Sequence, residues 1–520
     1  YWPVTVGGQT MLPADALYNH QPWRPLAPPE FTAPHNSLVT DLVFENYVWK
    51  QFILECLRAR QLPLWNPYIL SGLPFLAGGQ HSALYPFSLI YYLLPLSRAY
   101  GLFTVSQLLL AGLSLYFYAR TIRLSRLAAA VGGMAFAFSG FMLVSTVFPM
   151  IIAAAAWLPF LLAMTERLVQ AVAEGGTQAG RDRLRAPLPW LTLGGLGLGC
   201  QVLAGHVEFL YYNLLVLAAY AAWRATQEFV RRRRWRALAA FAGLQASMVL
   251  LGLGLAAVQL LPLFELVTKS AREGSVTYEQ IIDWAYPYRR LVAFLIPDFY
   301  GNPSHHSYVD LYTGQVLPTL RDSLGRPKST EWGLKNYVEG GAYIPIMALL
   351  LGLFGALRRP RRQAWFFVVL ALFSLSLVFG MPTYRLLYQL PGIRQLHSPF
   401  RWVFPYTVAI AALAAMGVDA IAEGASRGRR LRLPGALGLW AILGAMAAVA
   451  AVVAARAWPQ LAIPLADRAV AHLARANEAF ADGRMFLSYQ ARNLVIFAGC
   501  ALGTGAVLLA ARRALTGARL

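Results

Sequence analysis

Apolar blocks close to 20 residues long alternate with short polar connectors along most of the chain. A helix needs about 20 apolar residues to cross the ~30 Å hydrocarbon core of a bilayer. Strand-like alternation is absent, and backbone groups in lipid must be paired within a helix or a closed barrel, so the blocks predict transmembrane helices. We place eleven spans, at residues 100–119, 128–147, 149–165, 187–205, 207–223, 238–262, 341–357, 364–380, 402–418, 435–456 and 493–511.

Two regions need separate interpretation. The stretch 83–95 (ALYPFSLIYYLLP) is apolar but too short to span a bilayer, and it predicts a re-entrant or interfacial helix. In 128–165 the turn near Pro149 carries no charge, so one long kinked element is an alternative to two spans.

Basic residues indicate the orientation, because cytoplasmic connectors are rich in arginine and lysine. Six alternate segments hold 24 of the 45 basic and 6 of the 24 acidic residues, a net charge of +18 out of the total +21. We therefore assign these six to the cytoplasm: 120–126, 166–185, 224–236, 358–362, 419–432 and 512–519. The run from Arg231 to Arg234 is then a topology anchor near anionic lipid rather than a nucleic-acid site.

The same topology divides the chain into alternating outer and membrane regions. The outer segments are 1–99, 263–340 and 457–492, with a shorter one at 381–401; spans fill 100–262 and 341–456, and 493–520 holds the last span and a cytoplasmic tail. Segment 457–492 is compatible with a helix. An odd number of spans and a cytoplasmic C-terminus place Tyr1 outside, so we expect a further span before it.

Composition agrees with a membrane protein, since 58% of residues are hydrophobic and only 13% are charged. The three cysteines, Cys56, Cys200 and Cys500, form no disulfide or metal pattern. All eight histidines lie in the outer segments or at the outer ends of spans. Chemistry is therefore expected on the outer face.

The first outer segment carries the candidate catalytic carboxylates Asp15, Asp41 and Glu45. In a helix Asp41 and Glu45 would share one face, next to the aromatic side chains of Phe44, Tyr47, Trp49 and Phe52. A desolvated carboxylate beside a second one gains proton affinity, which suits a general base. The alternative is that Asp41 caps a helix or is solvated.

Candidate substrate-binding residues follow in the other outer positions. His206 and Glu208 lie where two spans meet, and Glu339 lies in YVEGGAY. Arginines suit bidentate binding of phosphate, and interfacial anchoring is their alternative role. The candidate arginines are Arg272, Arg394 and Arg401, and His397 is a further candidate between the last two. No nucleotide-binding, serine-hydrolase or zinc-protease motif is found in a suitable context, and His305 and His306 lack further ligands at metal spacing.

A succession of short motifs resembles the bacterial YfhO-type membrane proteins. These motifs are LPADALYNHQPWRP, TDLVFENYVWKQF, PLWNPYILSGLPF, GGQHSALYPF, FAFSGF, AWLPFLL, LAGHVEFLYYN, LLPLFELVTKSAREG, IPDFYG, YVEGGAYIP and HSPFRW, and they cover residues 1 to about 420. That family is similar to the GT-C superfamily of multi-pass glycosyltransferases. Family members often have glutamine at the position of Glu208.

The resemblance implies an all-α polytopic fold, a GT-C-like helical bundle with large outer loops, in the bacterial cytoplasmic membrane. It implies a polyprenyl-phosphate-linked sugar donor presented in the outer leaflet. It also implies a catalytic acidic residue in the first outer loop, which maps onto Asp41 or Asp15.

We therefore predict an inverting glycosyltransferase that acts on a cell-envelope glycan, lipid or protein acceptor. No metal site and no cofactor are predicted, and the need for a divalent cation is left open. The alternative is a non-catalytic membrane subunit, or a lipid or glycan transporter.

Overall fold

The computed structural model describes residues 1–174, 185–269, 276–323, 325–358, 362–396, 398–426 and 432–517. Helices dominate this part of the chain, and the strands there form two short antiparallel pairs, Trp65–Asn66 with Leu73–Pro74 and Ser307–Val309 with Val316–Pro318. The prediction of an all-α polytopic membrane protein is confirmed.

Six helices in the described ranges are long and apolar enough to cross a membrane. They are Leu96–Thr121, Pro149–Glu174, Trp235–Leu255, Pro399–Gly424, Arg432–Ala457 and Gly483–Ala511. A seventh crossing is formed if Arg126–Ala137 and Gly140–Val147, which meet at an angle of 44°, count as one span. Each of these seven overlaps one of the eleven predicted spans.

The other four predicted spans also fall on helices, but on ones that do not meet this criterion. Leu188–Leu203, Ile346–Leu357 and Arg362–Val378 are apolar but have only 16, 12 and 17 residues, and Val207–Ala225 covers predicted span 207–223. The apolar helix Ala257–Thr268 follows Trp235–Leu255 after a break at Ala256, so predicted span 238–262 falls across two helices.

The bend within predicted span 128–147 has a local cause. Helix Arg126–Ala137 ends at Phe138, and the Ser139 hydroxyl accepts a hydrogen bond from the backbone N–H of Met142 at 3.3 Å, which starts a new helix. The first backbone N–H groups of a new helix have no partner within the helix, and a serine at the N-cap position accepts a hydrogen bond from one of them. A second break follows at 145–148, before Pro149 begins the next helix.

Glycines allow close contacts between helix backbones in the bundle. A Cβ on Gly133 would lie 2.5 Å from the carbonyl oxygen of Gly112, and one on Gly417 would lie 2.1 Å from that of Leu351. Without a hydrophobic driving force in lipid, helices associate where small residues let their backbones approach. Helices Leu96–Thr121, Arg126–Ala137, Ile346–Leu357 and Val403–Ser426 are packed in this way.

The first 95 residues form short elements beside this bundle. The helices are Trp2–Thr5, Val48–Arg58, Phe75–Gly78 and Leu89–Leu93, with 3₁₀ turns at Ala14–Asn19, Arg24–Leu26, Ser37–Val39 and Pro86–Ser88 and a π-helix at Leu42–Tyr47. Within the predicted re-entrant stretch 83–95, Leu89–Leu93 has only five residues.

Side chains from residues 292–332 and 466–489 pack together in a second core. Its elements include Tyr288–Phe294, Pro297–Tyr300, Pro459–His472 and Ala476–Ala479. Tyr278–Asp283 packs on the main core, Tyr384–Tyr388 and Ile393–Gln395 lie between the later spans, and the turn Pro399–Trp402 begins the crossing helix Pro399–Gly424. Trp332 is buried in this second core against Tyr300, Phe480 and Phe486. This core joins loop segments that are more than 100 positions apart in the sequence.

Candidate functional site

A cavity of about 310 Å³ lies where the N-terminal segment meets the helical bundle. Three of the predicted site residues, Asp41, Glu339 and Arg401, line it together, and we call it the carboxylate cavity. The other lining residues are Ser37, Leu38, Thr40, Phe141, Ser145, Phe148, Ile151, Phe209, Asn336, Val338, Gly341, Phe400 and Val403. Two carboxylates and one guanidinium thus share a cavity with a partly apolar wall, as in many small-molecule sites.

Asp41 reaches this cavity because of its place at the start of a helical segment. It directly precedes the π-helix Leu42–Tyr47 but makes no side-chain cap hydrogen bond. Among the described residues no hydrogen bond or ion pair involves its carboxylate. The carboxylate is therefore free to accept a proton or a hydrogen bond from a bound molecule.

Glu45 follows Asp41 in a π-helix rather than in the α-helix that their spacing predicted. Its side chain is mostly exposed and lies outside the lining of the carboxylate cavity. Partial burial, and secondly the charge of Asp41, raise the pKa of the Glu45 carboxyl. The two carboxylates therefore interact electrostatically, while only Asp41 faces the cavity.

Arg401 is held in the cavity wall by Glu208. Its guanidinium donates to Oε2 of Glu208, and the Tyr212 hydroxyl donates to Oε1 of the same carboxylate at 2.7 Å. The Glu208 side chain is only 9% exposed, whereas that of Arg401 is 28% exposed. Glu208 thus orients Arg401 and balances its charge from behind the wall.

The remaining predicted residues lie elsewhere. Oδ2 of Asp15 accepts a hydrogen bond from the backbone N–H of His35 at 2.6 Å, and exposed Arg394 stacks on Tyr388 with 5.0 Å to the ring centre. His206 precedes helix Val207–Ala225 and contacts the ring of Phe209 edge-on. None of these lines the carboxylate cavity. Arg272 and His397 fall outside the described residues.

The GGQHSALYPF motif has a structural explanation. Gly205, with a φ of +93°, passes so close to this motif that a Cβ there would lie 2.2 Å from the carbonyl oxygen of Gly79. Ser82 donates to the carbonyl of Ala204 at 2.7 Å, and the Nε2 atom of His81 lies 2.9 Å from the carbonyl oxygen of Phe75. The motif thus fixes the N-terminal segment to the helix ends at 203–207.

A second cavity, of about 230 Å³, lies next to the first and shares Gly341 with it. We call it the arginine cavity, because it contains Arg290, together with Lys335 and Glu331. Sequence reasoning did not select these three residues. The pair Arg289–Arg290 carries no motif, and its two members differ only in burial, which the sequence does not display.

Histidine, cysteine and acidic side chains do not form a metal centre in the part of the chain that the structure describes, where no group of three or more could hold an ion.

Comparisons with known proteins give one structural match. No protein-family model matches the chain, and no curated protein matches it in sequence. Among solved structures, the chain is similar to ArnT from Cupriavidus metallidurans bound to undecaprenyl phosphate, with 17% identity and a TM-score of 0.39. The match covers 89% of this chain and 72% of ArnT.

Proposed function

We propose that the chain is a membrane glycosyltransferase that moves a sugar from a polyprenyl-phosphate donor to an acceptor hydroxyl in the carboxylate cavity. The observation that carries the proposal is the meeting of Asp41, Glu339 and Arg401 in that cavity, although they lie far apart in the sequence. The resemblance to YfhO-type proteins independently pointed to an acidic residue in the first segment, and Asp41 is the one that lines the cavity.

The proposed reaction is a single displacement. The acceptor oxygen bonds to the anomeric carbon of the sugar while the bond from that carbon to the phosphate oxygen breaks. The phosphate leaves with the bonding electron pair, and the acceptor proton passes to Asp41. Attack from the face opposite the leaving group inverts the anomeric configuration. A general base of this kind typically contributes about 10²–10⁴-fold in rate.

Two further lining residues have complementary roles. Glu339 has acceptor atoms for the hydroxyl groups of a sugar or acceptor. Arg401 places a donor in the wall, since Glu208 fixes its orientation, and such preorganised donors stabilise charge that develops in the transition state. Because the distribution of basic residues predicts which connectors are cytoplasmic, we propose that the site faces the outer side of a bacterial cytoplasmic membrane and that the acceptor belongs to the cell envelope.

The test is sugar transfer by purified, detergent-solubilised protein from polyprenyl-phosphate hexoses to cell-envelope fractions. Asp41→Asn keeps the size of the side chain but cannot take the proton, so we expect a loss of about 10²-fold or more with normal folding. Asp15→Asn is the matched control, because the Asp15 carboxylate lies outside the cavity, and it should stay within about twofold of the unmodified protein.

The outcomes separate the alternatives. Full activity of Asp41→Asn with loss in Asp15→Asn or Glu45→Gln would move the base to that residue. Full activity of all three variants would contradict the proposed base. An absence of transfer by the unmodified protein with every donor would favour a non-catalytic subunit or a transporter.

A further inference from the structure

The arginine cavity is built from three segments that lie far apart in the chain. Its wall comes from residues 140–144, 290–301 and 331–343, which include parts of FAFSGF, IPDFYG and YVEGGAYIP. Three tyrosines and several aliphatic residues make most of the wall apolar, and Arg290, Lys335 and Glu331 are the ionisable groups among the non-tyrosine lining residues. Such a wall suits a ligand with an apolar part and a charged end.

Arg290 is buried as a cation without a carboxylate partner. It is 4% exposed, and among the described residues no carboxylate oxygen lies within 4.0 Å of its guanidinium. Nη1 donates to the carbonyl of Lys335 at 3.0 Å and Nη2 to that of Asn336 at 3.4 Å, while Nε has no hydrogen-bond partner. The rings of Tyr286 and Tyr300 lie beside it, at 5.3 and 5.4 Å.

Two other arginines show the contrast: Arg224, the other arginine that is fully buried among the described residues, and the partly exposed Arg401. Arg224 forms two hydrogen bonds to Glu166, at 2.7 and 2.9 Å, and Arg401 is paired with Glu208. Buried charges are costly unless they are paired. Carbonyls and aromatic rings direct Arg290 but do not neutralise it, so the site keeps a positive charge that an anion would balance.

The double glycine of YVEGGAYIP makes room for this arginine. A Cβ on Gly340 would lie 1.4 Å from Nη2 of Arg290, and one on Gly341 would lie 2.3 Å from Cγ2 of Val144. The backbone therefore approaches the guanidinium more closely than any other residue type would allow.

Lys335 adds a second cationic group and links the two cavities. Its ammonium lies 5.4 Å from the centre of the Phe400 ring, and Phe400 lines the carboxylate cavity. Burial lowers the pKa of Lys335, the charge of Glu339 opposes this, and the charge of Arg290 lowers it further. Burial raises the pKa of the Glu331 carboxyl. A bound anion would balance the positive charges of Arg290 and Lys335.

We propose that the arginine cavity binds the phosphoryl group of a polyprenyl phosphate, with Arg290 and Lys335 as its ligands. This rests on the proposed function for the identity of the lipid, and it places the leaving phosphate next to the cavity in which Asp41 acts. Arginine offers two N–H groups in the geometry of a phosphate edge, and charge-assisted hydrogen bonds of this kind are the strong ones. The apolar wall then accommodates the first part of the lipid chain.

The test measures equilibrium binding of undecaprenyl phosphate, without any sugar, to the purified full chain in nanodiscs. Arg290→Gln should weaken binding about tenfold or more, since a charge-assisted hydrogen bond is lost. Arg289→Gln is the matched control: it is the adjacent residue with the same substitution, and its side chain is exposed. We expect Arg289→Gln to leave the affinity within about twofold.

Two further variants keep the test decisive if Arg290→Gln does not fold. Lys335 is only half-buried, and Lys335→Gln should fold and weaken binding about threefold or more by the loss of one ammonium. Arg290→Lys keeps a charge but loses the paired N–H geometry, and it should fall between the unmodified protein and Arg290→Gln. Folded variants at both positions with unchanged affinity would overturn the proposal.

Inorganic phosphate as a competitor distinguishes the lipid from a free anion. Weak competition that depends on Arg290 supports a phosphoryl site whose lipid chain adds affinity. Tight binding of inorganic phosphate that undecaprenyl phosphate does not displace would overturn the assignment to a lipid. Arg290-dependent lipid binding in a protein that shows no sugar transfer would leave this site standing while the glycosyltransferase proposal fails, and Asp41→Asn should bind the lipid normally in either case.

Discussion

At the residue scale, Lys50 shows how the N-terminal segment buries a charge that is not part of the candidate site. Its ammonium donates to the carbonyl oxygen of His81 and lies 4.6 Å from the centre of the Tyr91 ring. No acidic side chain of the described residues pairs with it. Burial lowers the pKa of Lys50 to about 7, and burial with the nearby Lys50 charge lowers that of His81 to about 4.

This burial predicts a pH dependence of stability. In the unfolded chain Lys50 stays protonated up to its ordinary pKa of 10.5, whereas in the folded protein it loses its proton near pH 7. Between these values the unfolded state binds more protons, so the Lys50 contribution becomes more favourable to folding as pH rises, by at most about 1.4 kcal/mol per pH unit. Below pH 7 the full cost of the buried charge is present.

Melting temperatures of the unmodified protein and of Lys50→Met, recorded in detergent from pH 6.5 to 9.5, check this. The methionine variant should gain most relative to the unmodified protein near pH 7, and the difference should shrink as pH rises. Parallel curves across the whole range would show that the Lys50 ammonium is charged in the folded protein throughout.

At the element scale, the helices are positioned by glycines that pack against backbone, and not all glycines do so. A Cβ on Gly417 would lie 2.1 Å from the carbonyl oxygen of Leu351, whereas one on Gly499 would meet nothing within 4 Å. Both residues lie in helices long enough to cross a membrane. In the sequence both are glycines inside apolar helices, and only the packing shows that Gly417 contacts a neighbouring backbone while Gly499 does not.

Gly417→Ala should therefore lower the stability by about 1–3 kcal/mol, because the helix carrying Leu351 must move away. Gly499→Ala is the matched control, and it should be neutral or stabilising by up to about 1 kcal/mol, because alanine favours a helix. Thermal unfolding in detergent compares the two variants. Equal melting temperatures for both would indicate that the contact at Gly417 adjusts without cost.

At the scale of the whole molecule, the site proposals depend on which side of the membrane the cavities face. The asymmetry of basic residues predicts that the hairpin at 307–318 is outside and that the connector at 224–236 is inside. Thr313 and Arg232 are exposed positions in these two segments.

Single cysteines at Thr313 and Arg232, in a background with Cys56, Cys200 and Cys500 replaced by alanine, check the sidedness. In intact cells an impermeant thiol reagent should label Thr313→Cys, and it should label Arg232→Cys only after permeabilisation. Labelling with the reverse sidedness would mean that both cavities open on the cytoplasmic side of the membrane, where a donor in the outer leaflet could not reach them.

The sequence by itself determined the class of the protein, since apolar blocks of bilayer length leave the backbone few alternatives to helices. All eleven predicted spans fall on helices, and seven of them meet the criteria of length and composition when the bent pair is counted. The break at Ser139 was not predicted, because an uncharged serine inside an apolar block is compatible with a continuous span until its cap hydrogen bond is seen.

Only the tertiary structure decided which candidate residues share a site. Asp41 meets Glu339 and Arg401 although it lies hundreds of positions before them in the sequence, whereas Asp15 and Arg394 do not join them. Neighbouring Arg289 and Arg290 are chemically identical, yet one is exposed and the other is enclosed without a carboxylate. Burial and pairing are properties of the packed chain, because they depend on which distant segments exclude water from a charge and which supply its counter-charge.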